Sequence, residues 1–178
     1  LDKDIAFIKN FHKTNGFYFV KVTSSINKNN ELNSVRIKLD IDQGNKAKIK
    51  KISFIGDKKF KDKKLKSIIV SEENKFWKFI TNKKFVNENI ISLDKRLLKN
   101  FYLNRGYYDV VVDSSFAKLV NQNDFELIYN IVPGNRIFFN EISLNLPVDF
   151  DKANFENLNK LFKKLNGKKY SLFIIEKI

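Results

Sequence analysis

The chain has 178 residues and contains no cysteine, no methionine, one histidine and one tryptophan. Without cysteine there can be no disulfide, no thiolate metal site and no cysteine nucleophile. No apolar run approaches the roughly 18 residues that span a bilayer as a helix. The opening Leu1-Asp2-Lys3-Asp4 lacks the form of a signal peptide, and the missing methionine points to a processed or partial chain whose targeting signal lies elsewhere. Walker loop, dinucleotide fingerprint and metal-ligand spacing are all wanting. Gly167-Lys168-Lys169 has neither the upstream glycine nor the Ser/Thr of a phosphate loop, and Glu72-Glu73 reads as solvated charge. These absences argue against an enzyme and against any cofactor, metal or small-molecule substrate.

Hydrophobic residues make up 43% of the chain and charged residues 30%, so a core can form and disorder is disfavoured. The net charge is +14 and the pI about 9.8, which raises the question of a nucleic-acid or anionic-membrane partner. The charge is nearly all lysine, spread along the chain, with arginine only at 36, 96, 105 and 136. Lys, Asn, Ile and Phe are all abundant, as AT-rich coding produces. Phosphate and base readout favour clustered arginine, so a solvated basic surface is the better reading. Asn15-Gly16-Phe17-Tyr18-Phe19-Val20 partly matches an RNA-binding motif, which makes a basic RNA-binding module the rival reading. Tyr18 fills its small-residue position, however, and the repeat described next carries Asp109 where a stacking aromatic is required.

Self-comparison reveals a repeat at an offset of 90 residues that runs without a gap from Ile8 to Ser53. Asn10-Phe11 meets Asn100-Phe101, and Gly16-Phe17-Tyr18 meets Gly106-Tyr107-Tyr108. Val20 and Val22 meet Val110 and Val112; Val35, Ile37, Leu39 and Ile41 meet Phe125, Leu127, Tyr129 and Ile131. Gly44-Asn45 meets Gly134-Asn135, and Ile52-Ser53 meets Ile142-Ser143. Phe60 and Phe150 share the offset, while Phe85 matches Tyr170 across a shorter loop. His12 aligns with Tyr102 and reads as a helix-face filler rather than a base or a ligand. The expected organisation is the back half of one module at 1–46, a complete module at 47–134 and the front part of another at 135–178. Both ends then cut through a repeat unit, as expected of a fragment.

The spacing of residues predicts each unit. Ile49 to Ile55 reads as a strand stopped by Gly56, and Asp62 is placed to cap a helix carrying Leu65, Ile68 and Ile69. Ile90, Leu93, Leu97 and Phe101 step by three and four, which predicts a second helix with Asn87 as N-cap and Gly106 as its left-handed C-terminal cap. Alternation predicts a strand over Tyr107 to Phe116 and another through Phe125, Leu127, Tyr129 and Ile131. The next module's first strand is expected at Ile137 to Leu144. The order is β-α-α-β-β: three strands with two helices on one face, an α+β fold. The short links predict a stacked, semi-rigid array.

This pattern resembles the POTRA domain of BamA-type outer-membrane protein assembly factors. The landmarks are Ile49-Lys50-Lys51-Ile52-Ser53-Phe54-Ile55-Gly56 followed by Phe60, Leu93-Asp94-Lys95-Arg96-Leu97 leading to Tyr102, Arg105-Gly106-Tyr107, and Ile131-Val132-Pro133-Gly134, where Pro133 replaces a usual acidic residue. The aromatic loop Phe76-Trp77 makes the central module similar to the third of five. TamA-like proteins, two-partner-secretion transporters and organellar assembly proteins are the alternatives within the family. The resemblance implies a three-stranded mixed sheet and a periplasmic arm ahead of a membrane barrel. It also implies unfolded outer-membrane β-barrel proteins and accessory lipoproteins as partners, with no role for nucleic acid. In that family's sheet the first of the two closing strands lies at an edge. The expected client-binding residues are therefore Tyr108, Asp109, Val110, Val111, Val112, Asp113, Ser114 and Phe116, taking up an extended segment by strand addition. Asp109 and Asp113 would limit uncontrolled pairing. Phe76 and Trp77 form a possible loop contact.

Overall fold

A computed structural model describes residues 1–75, 83–118 and 124–178 of the chain. In chain order the elements are α1 (Asp2–Thr14), β1 (Lys21–Asn29), β2 (Ser34–Asp42), β3 (Lys48–Ile55), α2 (Asp62–Lys66), α3 (Glu88–Leu103), β4 (Val111–Lys118) and β5 (Asp124–Val132). A short 3-10 helix (Lys152–Phe155), α4 (Glu156–Leu165) and α5 (Leu172–Ile175) follow. The repeat reappears in this order. Shifted by 90 residues, β2 coincides with β5 from end to end, and β1 begins where β4 begins. β1 and β2 form a two-stranded antiparallel sheet, while β3, β5 and β4 form the expected three-stranded mixed sheet in that spatial order.

Contacts divide the chain into two compact units. The first comprises Leu1–Ser53, Ile69–Asp94 and Ser114–Tyr129; the second comprises Phe54–Ile68, Lys95–Asp113 and Asn130–Ile178. Inside the first, Ile49, Ile52, Val86, Ile91, Phe125, Leu127 and Tyr129 are buried. The alternation along β5 is as expected of a strand covered on one face. Each fully buried aliphatic side chain contributes about 1.5–3 kcal/mol. One charged group joins this core. Asp94 on α3 is fully buried and accepts from the Val70 N–H at 2.5 Å, the Ser71 N–H at 3.2 Å and the Tyr129 hydroxyl at 2.6 Å.

Burial, reinforced by the neighbouring Asp94 carboxylate, pushes the Tyr129 phenol well above its usual value of 10.0. In the unfolded chain the same phenol ionises at its usual value. The folded state therefore holds the proton longer, and stability falls as the pH rises above about 10. Thermal unfolding followed from about pH 9 to 11 should show this loss, and Tyr129→Phe should flatten it. An equal slope in both proteins would exclude Tyr129 as the source.

In the second unit an aromatic cluster closes around Phe60. Its ring meets Phe101 at 4.9 Å, Tyr102 at 5.1 Å and Tyr107 at 6.3 Å between centroids, all edge to face. This arrangement accounts for the Arg105-Gly106-Tyr107 landmark. The Arg105 guanidinium lies 3.6 Å from the centre of the Phe101 ring and donates to the Phe101 carbonyl at 2.9 Å. Gly106 takes φ +91°, which lets its N–H reach the Leu103 carbonyl and the Tyr107 N–H reach the Tyr102 carbonyl. Asn87 is the N-cap, its Oδ1 accepting from the N–H groups of Asn89 and Ile90 at 3.0 and 3.1 Å.

Four expectations are corrected. The helix at Asp62 stops at Lys66, so Leu65 is buried within it whereas Ile68 and Ile69 lie beyond its end, half-buried. Its N-cap is Lys61; the Asp62 side chain engages the Lys58 ammonium instead of capping. No strand forms over Ile137 to Leu144, where only an isolated bridge at Phe138 appears; the main chain of Ile137 and Phe139 bonds instead to Gly106 and to the Gly167–Tyr170 loop. The loop match also moves by one residue. Lys48 bridges Phe85 and Phe138 bridges Lys169, so Phe85 corresponds to Lys169, and Ser171, the N-cap of α5, corresponds to Asn87.

The junctions that follow β2 and β5 reuse one hydrogen-bond scheme. In the first unit the Gly16 carbonyl accepts from the Ala47 N–H at 3.0 Å, and the Ala47 carbonyl accepts from the Val86 N–H at 2.9 Å. In the second, Gly106 accepts from Ile137 at 2.7 Å, and Ile137 accepts from Tyr170 at 3.1 Å.

Candidate functional site

The two outer strands of the three-stranded sheet differ in what borders them. Along β3 the main chain is engaged by the segment after α2. The Ile49 N–H donates to the Lys84 carbonyl at 2.8 Å, the Ile49 carbonyl accepts from Asn74 at 2.6 Å, and the Ile52 N–H reaches the Glu73 carboxylate at 3.0 Å. Among the described residues β4 pairs with β5 alone. Among the described residues, then, no strand borders the other side of β4, the geometry that accepts an added strand.

The residues expected at this edge separate into two groups. Tyr108 and Asp109 lie in a turn, and Val110 precedes the strand, so the strand begins at Val111 rather than Tyr107. The reason is local. Tyr107 completes the cap of α3, pairs with Arg136 as an isolated bridge, and accepts from the Arg136 guanidinium at 2.8 Å through its hydroxyl. Its backbone is thus committed before the ladder starts. Tyr108 is exposed and meets Tyr170 edge-on at 5.3 Å. From Val111 onward the alternation holds: Val111, Asp113 and Ser115 are exposed, while Val112, Ser114 and Phe116 are half-buried and Val110 is buried. Phe116 packs 5.4 Å from the Tyr18 ring. Phe76 and Trp77 lie outside the described residues.

Sequence reasoning passed over Glu126, which stands on the solvent face of β5. Its carboxylate accepts from the Ser53 hydroxyl and pairs with Lys51 at 2.9 Å. These bonds, the one from Ser53 foremost, hold it below the usual carboxylate range. They tie β3 to β5 across the sheet face. A charged residue alternating with core positions was the only signal, and it does not distinguish a cross-strand pair from plain solvation. His12 lies half-buried on α1 between Phe11 and Phe17, with Nδ1 3.2 Å from the Gln43 amide. Among the described residues no cluster of His, Asp or Glu could hold a metal ion, and no helix is long and apolar enough to cross a membrane.

Comparison with known proteins gives a consistent result. Residues 47–134 match the family model for POTRA, described as "surface antigen variable number repeat". The outer membrane protein assembly factor BamA of Neisseria meningitidis is 26% identical over 171 residues, covering 96% of this chain and 21% of that protein. A putative outer membrane protein assembly factor of Treponema pallidum is 27% identical over 135 residues, covering 72% of the chain and 15% of that protein. The chain thus spans about a fifth or less of the length of these relatives. The crystal structure of Haemophilus influenzae BamA POTRA3-5 superposes with a TM-score of 0.59 at 15% identity, over 98% of this chain and 65% of that one. Haemophilus ducreyi BamA lacking POTRA domains 1-3 gives 0.54 at 23% identity, over 73% and 22%. The two structures show the likeness of fold, and the family match identifies residues 47–134 as a POTRA domain, in a chain similar in sequence to outer membrane protein assembly factors.

Proposed function

We propose that the chain is part of the periplasmic arm of an outer-membrane protein assembly factor. In this reading it receives unfolded outer-membrane β-barrel proteins by strand addition and docks accessory lipoproteins ahead of its own membrane barrel. The back half-module 1–46, the complete module 47–134 and the front part 135–178 form its repeating units. The observation that carries the reading is the asymmetry of the sheet among the described residues: the β3 border is engaged, whereas no strand borders the outer side of β4. Main-chain pairing there reads extended backbone and pleat more than sequence, which suits many different clients. Val111 and Val112 supply β propensity, and Asp113 on the exposed face opposes indiscriminate stacking of further sheets.

The test is Val111→Pro. Proline is tolerated at the first residue of an edge strand, so the fold should persist. Affinity for an extended peptide from an outer-membrane β-strand should fall about tenfold, which is the worth of roughly one main-chain hydrogen bond. Binding that stays unchanged while the thermal midpoint is also unchanged would exclude β4 as the client edge.

A further inference from the structure

Lysine is spread along the sequence, but six of the nine residues from Lys58 to Lys66 are lysine. Two of them have local partners. The Lys58 ammonium donates to the Phe54 carbonyl at 2.8 Å and pairs with Asp62, and the Lys59 ammonium pairs with Asp57 at 2.8 Å. Both carboxylates of the segment are thereby engaged. Lys61, Lys63 and Lys64 are exposed, and among the described residues none of the three forms an ion pair. Their side chains, with Ser67, line a shallow surface cavity of about 350 Å³. The Ser67 hydroxyl is committed to the Lys64 carbonyl at 2.7 Å, so the cavity's free donors are ammonium groups. Like charges three residues apart, as at Lys61 and Lys64, repel one another, and a bound anion would relieve that repulsion.

The fold does not require this cluster. At the 90-residue offset Lys61, Lys63 and Lys64 meet Asp151, Ala153 and Asn154, which share no charge with them. Leu65, buried on the same short helix, meets Phe155 and stays apolar, as a packing position should. The basic cluster therefore belongs to the complete module alone and has no packing role to explain it.

We propose that Lys61, Lys63 and Lys64 form a binding site for a phosphate-bearing anion. Ammonium groups hold phosphate as point charges and do not fix its orientation, unlike the planar fork of arginine. An open cavity walled by lysine stems suits a phosphate presented at a lipid surface or one free in solution. The site does not depend on whether β4 takes up clients.

Two arms of one experiment separate these sources. In the first, the 178-residue chain is floated with vesicles of mixed phosphatidylcholine and phosphatidylglycerol, with pure phosphatidylcholine as the blank. Combined Lys61→Gln, Lys63→Gln and Lys64→Gln should weaken binding about a hundredfold, from about fivefold for each lysine at an anionic surface. The three corresponding arginine substitutions keep the charge and should bind as wild type. Lys9→Gln, Lys28→Gln and Lys50→Gln together remove the same charge from exposed positions elsewhere and should also bind as wild type. Only exposed side chains change, so the thermal midpoints should agree. In the second arm, inorganic phosphate is titrated at constant ionic strength and followed by amide NMR. It should shift the amides of Lys61–Ser67 in the wild type and not in the first glutamine variant. Vesicle binding that depends on the cluster assigns a lipid headgroup; localised phosphate shifts without it assign free phosphate. Amides that phosphate leaves unmoved, together with two glutamine variants that bind vesicles alike, would overturn the proposal.

Discussion

Replacing Asp94 with alanine is expected to destabilise the fold by about 3–5 kcal/mol, the loss seen when one partner of a buried charged network is removed. The Asp94 carboxylate is the common acceptor for the Val70 and Ser71 N–H groups and for the Tyr129 hydroxyl. Truncation removes that acceptor from all three, at about 1–3 kcal/mol for each that neither water nor another group satisfies. The urea midpoint should fall by about 1 M or more, given slopes of about 1–3 kcal/mol per molar for small domains. Asp94→Asn keeps the shape and one acceptor and should lie between the two. In the first copy of the repeat the equivalent residue, Asp4, is exposed. Asp4→Ala is therefore the control, with an effect near zero. Equal effects at the two positions would refute the network as the source of stability.

Gly56→Ala is expected to cost about 2–5 kcal/mol, combining the penalty for a left-handed backbone with overpacking. Gly56 has φ +89°, and a Cβ placed there would collide with the Ile131 carbonyl oxygen and come within 2.7 Å of the Asn130 side chain. Ile131 belongs to the central strand, so the obstacle is backbone and cannot swing aside as a side chain could. Gly167 is the contrast: it also has positive φ, at +72°, but nothing lies within 4 Å of the added carbon. Gly167→Ala should show only the conformational part, about 1–2 kcal/mol. Were both variants to lose the same amount, close approach at Gly56 would have no energetic weight.

These two residues show what was legible before any coordinates. Gly56 read as a turn after a strand, and the turn is there; its contact with β5 has no trace in local spacing. Asp94 read only as part of a helical landmark, because periodicity marks a polar residue between apolar ones and says nothing of a buried acceptor. Elements with long regular patterns were clear: α3 with its Asn87 cap, Gly106 at its end, and β5 with its alternation. Patterns failed where tertiary partners decide. The segment after Ile137 has the residues of a strand but bonds its main chain to the Gly167–Tyr170 loop, and Tyr107 has the alternation of β4 but spends its backbone on a helix cap and on Arg136. The edge position of β4 came from family likeness, since order within a sheet leaves no mark on one strand's sequence. The engagement of β3 by Glu73, Asn74 and Lys84 became apparent only in the structure.

Amide hydrogen exchange along Val111–Phe116, measured with and without an extended outer-membrane peptide, addresses the open border most directly. Half of these amides, in alternation, bond to β5 and should be protected already; the other half face the open border and should exchange fast in the free protein. Added peptide should slow that second set and leave the first unchanged. If the alternate amides of β4 exchange as quickly with saturating peptide as without it, clients do not add to this edge.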